Sequence, residues 1–353
     1  MSDVAIVLGS NIHWAPYYYK YEKLLKEQGK KFDLIIWNRE GINEDNGACK
    51  VISFNVKDVS NNKNPFKLFK FILFTRFVCR TLKKERYKKV IFLGTHGCAP
   101  ILGAYFLKTK YFKRYWLDIR DYQYEWFTPF FYLEKLAIKN SYNTAISSVG
   151  YKRFLPTYNY INVHNVDPNM DNVIKQYKKK DDNRIRISFI GNVRYLEECI
   201  KVVNVFKNDT RFLLQFFGSG SEKIEKYCHE NNIKNTRFHG RFKLYETVHF
   251  YNITDIVNNV YGNDSIGFTT ALSNKLYYCL SLKIPILVSE GTYTEEFSKK
   301  YGFGFVFRNE KNYPDQLYYE YTSKLQKPEY GEAWKTVLQE EHIFYEEFIK
   351  FVG

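Results

Sequence analysis

Ile185-Arg-Ile-Ser-Phe-Ile-Gly-Asn-Val-Arg194 is the stretch from which the rest of the chain can be read. It is an apolar run of strand length that stops on a glycine, the residue that allows a tight turn. Just before it, Asn169 to Asn183 is polar and charged and contains Lys178-Lys-Lys-Asp-Asp182, a linker composition. After it the same pattern recurs: Phe212 to Phe217 runs into Gly218-Ser-Gly220, and Arg237-Phe-His239 runs into Gly240. Asp255 to Val260 and Ile284 to Val288 read as further strands. Upstream of the linker, Val4 to Leu8, Phe32 to Trp37, Lys50 to Val56, Val90 to Leu93, Tyr115 to Ile119 and Thr144 to Ser147 read as strands as well. Pro16 and Gly29 bracket a helix between the first two of them. Short apolar runs alternating with longer helical patterns signal parallel sheets covered by helices. The pattern restarts after the linker without a sequence repeat, so the expectation is two similar α/β domains facing each other across a cleft.

Composition narrows the class. A chain of 353 residues suits two domains better than one. Its net charge of +15 calls for an anionic partner: nucleic acid, acidic lipid or a phosphorylated substrate. Aromatics make up 19%, nearly all Tyr and Phe, side chains suited to cores, sugars and membrane interfaces. The cysteines Cys49, Cys79, Cys98, Cys199, Cys228 and Cys279 have neither zinc-knuckle nor redox-pair spacing and read as buried thiols in a reducing compartment. The opening MSDVAIVLGSN reads as a first core strand and not a secretory signal. No apolar run approaches the roughly 20 residues of a membrane span. The two sequons at Asn208 and Asn252 are accordingly taken as chance.

In open α/β sheets ligands bind beyond the carboxyl ends of the strands, where backbone N–H groups can meet phosphate. The turns after Leu8, Leu93, Ile190, Phe217 and His239 all carry glycine there. Five such turns split over two domains point to a phosphorylated ligand, although the full dinucleotide fingerprint is missing after the first strand.

In these motifs the chain resembles the retaining glycosyltransferases of family four, which have the GT-B fold of two Rossmann-like domains. Ser188-Phe-Ile-Gly-Asn-Val-Arg194 is similar to the strand and turn that open the family's donor domain, and Phe217-Gly-Ser-Gly220 to its next strand-end turn. Arg237-Phe-His-Gly-Arg241 is similar to the loop bordering the nucleobase. Asn274-Lys-Leu-Tyr-Tyr-Cys-Leu-Ser-Leu-Lys-Ile-Pro-Ile-Leu-Val288 is similar to the helix and strand that hold the donor phosphates and sugar. Leu117-Asp-Ile-Arg-Asp121 resembles the strand end facing the acceptor, and Val163-His-Asn-Val-Asp167 the segment leading into the linker. The resemblance implies an acceptor domain over 1–168, a nucleotide-sugar domain over 169–335 and a last helix over 336–353 that crosses back to the first domain. It also implies a Glu where this chain has Tyr278 and a second acid near Thr270; Asp264 and Glu290 are nearby acids able to substitute.

The resemblance assigns donor binding to Gly9, Gly191, Asn192, Arg194, Gly218, Gly220, His239, Gly240, Asn274, Lys275 and Leu276. No cofactor or metal is expected, since the chain lacks the Asp-x-Asp motif and fixed cations can stabilise a departing diphosphate. Arg194 and Lys275 match the family positions for that work, one as a bidentate fork and the other as a point charge. Asp121, His13 and His96 are the candidate acid/base groups, because each follows a strand end and histidine titrates near neutrality; Asp118, Arg120 and Asp121 read equally well as a loop-organising cluster. Lys63 to Lys89 carries ten Lys or Arg, one acid (Glu85) and the interleaved Phe66, Phe69, Phe71, Phe74 and Phe77, a basic amphipathic stretch suited to an anionic membrane.

The expected activity is therefore hexosyltransferase-like: a sugar moved from a nucleotide-sugar to a lipid-linked or oligosaccharide acceptor in bacterial capsule, exopolysaccharide or other surface-glycan synthesis, with retention, without metal, at the cytoplasmic face of the cell membrane. A second copy of the chain is an open partner. The rival readings are a non-catalytic scaffold on the same fold and, from charge alone, a nucleic-acid binder; no recognition motif for nucleic acid is present.

Overall fold

The computed structural model describes residues 2–58, 66–95, 97–323 and 328–353. The chain divides into two compact units, one formed by Met1–His164 with Gln339–Gly353 and the other by Asn165–Leu338.

In the first unit the elements run β1 (Val4–Leu8), α1 (Tyr18–Glu27), β2 (Phe32–Trp37), β3 (Lys50–Phe54), α2 (Phe66–Glu85), β4 (Lys89–Leu93), α3 (Ala99–Leu102), α4 (Ala104–Lys110), β5 (Tyr115–Ile119), α5 (Thr128–Asn140), β6 (Asn143–Ile146) and β7 (Ile161–Asn162). Among the described residues seven strands form one parallel sheet in the order β3-β2-β1-β4-β5-β6-β7. β1, β2 and β5 are buried along their whole length. Both faces of a parallel sheet are covered, so such strands read as unbroken apolar runs and not as alternation.

In the second unit the elements are α6 (Met170–Gln176), β8 (Ile185–Ile190), α7 (Leu196–Phe206), β9 (Phe212–Phe217), α8 (Ser221–Glu230), β10 (Thr236–His239), α9 (Thr247–Tyr251), β11 (Ile256–Asn259), α10 (Ile266–Thr270), α11 (Asn274–Leu282), β12 (Ile286–Val288), α12 (Tyr293–Lys300), β13 (Gly304–Val306) and α13 (Tyr313–Ser323), and α14 (Tyr330–Val352) starts in this unit and ends in the first. Its strands, again all parallel, are ordered β10-β9-β8-β11-β12-β13. This is the doubly wound Rossmann order, with the strand direction of travel reversing between β8 and β11; in the first unit the reversal lies between β1 and β4.

α14 belongs to both cores. Tyr330, Ala333 and Val337 bury in the second unit's core. Phe344, Phe348, Phe351 and Val352 bury in the first, against Tyr21 and Trp116. Polar ties fix the last turns: Lys20 bonds Glu341 at 2.7 Å, Asn162 bonds Glu340 at 2.7 Å and Asn143 bonds Glu347 at 3.1 Å. Among the described residues no helix is long and apolar enough to cross a membrane.

Candidate functional site

At the carboxyl end of the second sheet the turn after β8 locks into the turn after β9. Gly191 N–H donates to the Phe217 carbonyl and Val193 N–H to the Ser219 carbonyl, each at 2.8 Å. Gly218 and Gly220 have φ of +132° and +90°, and a Cβ on either would lie 1.9 Å from the Gly191 carbonyl oxygen or 2.4 Å from that of Val193. Glycine is thus required at both positions by backbone approach. The N–H groups of Gly218 and Gly220 are also spent, on the His239 carbonyl and the Glu222 carboxylate. Strand-end glycines of this kind are expected to turn their N–H groups toward a phosphate. The structure turns those of Gly191, Gly218 and Gly220 onto the neighbouring turns and Glu222 instead. Gly240 is exposed with open space around it, and His239 beside it is exposed with its ring 5.1 Å from Phe250.

Lys275 sits in the first turn of α11, a helix capped by the Ser273 hydroxyl. Its residue is 7% exposed. Its Nζ lies 3.9 Å from the ring centre of Phe189 on β8 and 4.6 Å from that of Tyr261, the second residue after β11, and donates to the Tyr261 hydroxyl. One ring lies on β8 and the other just past the end of β11, the two strands flanking the reversal. Among the described residues no carboxylate pairs with this ammonium. Burial pushes the Cys199 thiol up to about 12 and raises that of Cys279 too, and in both the Lys275 charge pulls the other way. Tyr195 and Phe268 extend the aromatic wall, with ring centres 4.6 Å between Tyr195 and Tyr261 and 4.9 Å between Tyr195 and Phe268.

Around this cation the other assigned residues fall into distinct environments. Arg194 and Asn192 are exposed in the turn after β8, and Arg194 makes no hydrogen bond or ion pair among the described residues. Asn274 is exposed, whereas Leu276 is fully buried and its N–H donates to the Ser273 carbonyl at 3.0 Å; its side chain belongs to the core. Tyr278 stacks on Tyr251 at 4.7 Å and its hydroxyl donates to Asp167, so this position ties α11 to the start of the second unit. Asp264 and Glu290 are both exposed on loops after β11 and β12. Sequence reasoning missed Tyr261, Tyr195 and Asn259, the last a buried β11 residue whose side-chain oxygen has no partner. The available signal was Val260-Tyr-Gly262, one more strand end running into glycine.

In the first unit Gly9 follows β1, and a Cβ on Gly97 would stand 2.9 Å from its Cα. His13 lies in the short turn Ile12–Trp14 just beyond, with Nδ1 2.7 Å from Glu44 and Nε2 3.3 Å from Glu40. Burial alone would raise the Glu44 pKa, but the N–H groups of His13 and Ile12, the His13 ring and the Asn11 amide outweigh it and hold the carboxyl below the usual range. Arg120 and Asp118 are both buried and bonded at 2.7 Å, and Asp118 also accepts from Tyr21 at 2.8 Å. This pair organises the loop internally, while Asp121 beside it is exposed. His96 lies outside the described residues.

Two doubly wound parallel sheets, each with glycine turns beyond its strand ends, give the chain the fold of the GT-B glycosyltransferases. Among solved structures it is similar to sucrose-phosphate synthase from Thermosynechococcus elongatus, with a TM-score of 0.68 and 11% identity over 99% of this chain and 100% of that one. It is similar to HepE of Anabaena, solved with UDP and glucose, with a TM-score of 0.65 and 10% identity over 99% of each chain. The lipopolysaccharide outer core galactosyltransferase WaaB matches with a TM-score of 0.57 and 12% identity over 99% of this chain and 98% of that one. At such identities the likeness is one of fold. No family model matches the sequence, and no curated protein matches it significantly.

Proposed function

We propose that the chain is a glycosyltransferase that moves a sugar from a nucleotide-sugar to a lipid-linked or oligosaccharide acceptor during bacterial surface-polysaccharide synthesis, with retention and without a metal. The observation that carries this reading is Lys275: a buried ammonium at the sheet's reversal, held by aromatic faces and one hydroxyl and, among the described residues, by no carboxylate. Burying a charge costs free energy unless it is paired, and π faces return only about 2 kcal/mol. A cation kept there at that cost has its charge available to an anion. In sugar transfer the bond from the anomeric carbon to the phosphate oxygen breaks, a bond to the acceptor oxygen forms, and the acceptor proton leaves on the diphosphate. Negative charge grows on that diphosphate, and a fixed cation stabilises it without reorganising. Arg194, exposed in the turn after the neighbouring strand, supplies a second cation. Structures of the same fold are described with UDP and with UDP-glucose, which supports a uridine donor as the first to try.

Membrane contact is the second part of the proposal. On α2, Phe71, Phe74, Val78 and Leu82 face the core, whereas Leu68, Phe69 and Ile72 are exposed. The rings of Phe71 and Tyr124 meet edge to face with centres 6.1 Å apart, which brings the loop carrying the exposed Trp126 and Phe127 beside the start of α2. Farther along the helix Arg76, Arg80, Lys83 and Lys84 are exposed. Apolar tips flanked by cations suit an anionic bilayer surface. The direct test of the enzyme reading is nucleotide release from a panel of sugar nucleotides, with and without lipid-linked acceptors; no release from any donor would leave a binding protein on this fold.

A further inference from the structure

β2 leads to β3 through residues 38–49 without a helix. Parallel crossovers ordinarily lay a helix on the sheet. Here a loop leaning on α1 covers that part of the sheet, and a cavity of about 340 Å³ remains beneath it. Its floor is Ile12, Leu34 and Ile36, all buried branched aliphatics. Its rim is polar, with Asn43, Glu44, Asn46 and Ser53. The roof is fixed: Glu44 caps the turn after β1 through Ile12 and His13 N–H at 2.8 Å each, and the Tyr18 hydroxyl donates to the Asn46 carbonyl. The site is therefore preformed, at the small end of the roughly 300–1,000 Å³ span of ligand pockets. Val51 and Ile42 stand at its mouth, 44% and 42% exposed.

The lining selects the ligand. Asn43 and Ser53 make no side-chain hydrogen bond among the described residues, so their polar groups are available. An alkyl chain would cover them and leave them unpaired at a cost of about 1–3 kcal/mol each. A pyranose ring matches both halves, with C–H faces for the floor and hydroxyls for the rim. The charge is the reverse of the whole chain's. No Lys or Arg lines the cavity, and Glu44 is joined in the same loop by Glu40 and Asp45. With its pKa held down, Glu44 is ionised at neutral pH. Anionic sugars meet like charge there.

We infer that the cavity over β2 and β3 is a binding site for an uncharged pyranose, the terminal unit of the acceptor glycan, and that it rejects uronic acids. The inference rests on the proposed transferase reading and adds the acceptor's class to it. Saturation-transfer NMR on the full chain without nucleotide, using the methyl glycosides of glucose, galactose and N-acetylglucosamine against that of glucuronic acid, tests it. At least one neutral glycoside gives a signal and glucuronoside gives none; Val51→Trp, which fills the mouth, and Asn43→Ala, which removes an exposed rim amide, each lower it at least fivefold. Silence from every neutral glycoside, equal transfer to glucuronoside, or wild-type signal in Asn43→Ala overturns the inference. The two readings fail separately. Wild-type sugar binding without nucleotide-sugar turnover sinks the transferase proposal, and turnover without sugar binding sinks this one.

Discussion

At the scale of single residues, Lys275 separates what a motif shows from what the fold adds. Its place at the start of an apolar helix was legible because α11 is local. Its approach to the Phe189 ring was not, because that contact depends on β8 and β11 lying side by side, a pairing fixed by sheet order. Lys275→Ala should fold and lose on the order of 10²–10³ in turnover, as when one preorganised donor is removed, while Lys275→Arg rescues in part because a fork replaces a point charge. Near-wild-type kcat in the alanine variant would reduce it to a core cation. The glycines divide in the same way. Gly218→Ala and Gly220→Ala should each cost about 2–5 kcal/mol in denaturant unfolding, from strained φ and collision with a carbonyl, whereas Gly240→Ala, with open space around it, should stay within about 0.5 kcal/mol. Glu134 on α5 gives a pH prediction. It is fully buried, neither oxygen is bonded among the described residues, and burial, with a smaller push from Glu125, raises its pKa to about 9. The folded chain then holds a proton that the unfolded chain releases above its ordinary value near 4.5, so this group's stabilisation is complete in acid and lost as pH climbs toward 9. Glu134→Gln, which mimics the protonated acid, should match wild type near pH 5 and exceed it by a few kcal/mol at pH 8; parallel unfolding curves at both pH values would discard this reading.

At the scale of elements, buried strands were the easiest to read. Val4–Leu8, Phe32–Trp37, Tyr115–Ile119, Ile185–Ile190 and Phe212–Phe217 appear with the bounds their apolar runs suggest. β7 and β13 were not legible, since two or three residues at a sheet edge carry no periodicity. α2 was legible as a helix but not in the direction of its faces. Its phenylalanines are divided between core and solvent by the helical turn, and interleaving with charge cannot tell Phe74 from Phe69. Membrane binding should therefore depend on both halves of the exposed side. Replacing Arg76, Arg80, Lys83 and Lys84 by Gln should weaken flotation on anionic vesicles and flatten its salt dependence, because exposed charges are screened over about 8–10 Å at ordinary ionic strength. Changing Phe69, Ile72 and Trp126 to Gln should weaken flotation at every salt concentration. Binding that is indifferent to both sets would move the contact to another face.

At the scale of the whole molecule, two parallel sheets were legible because a restart of strand-and-glycine turns after a polar linker has few other architectures to belong to. The dual allegiance of α14 was not visible in periodicity alone, since an apolar stripe does not say which core it meets. The division into units makes one thermodynamic prediction about the leaving group. If fixed cations do the work of a metal, the nucleoside diphosphate product should bind and stabilise the folded chain in the presence of EDTA. At a hundred times its dissociation constant a ligand adds about 2.7 kcal/mol. For a cooperative unit of some 150–250 residues each kcal/mol moves Tm by about 2–4 °C, so a shift of roughly 5–10 °C is expected. The stabilisation should fall on the second unit, where Lys275 and Arg194 sit, and hydrogen exchange should slow there first, at the ends of β8 and β11. Lys275→Ala should lose most of the shift while still unfolding cooperatively without ligand, because the ammonium it removes has no carboxylate partner among the described residues to leave unpaired. Were the shift to appear only with Mg²⁺ or Mn²⁺, the cation at the sheet reversal would be holding something other than the diphosphate, and the metal-free mechanism would fall with it.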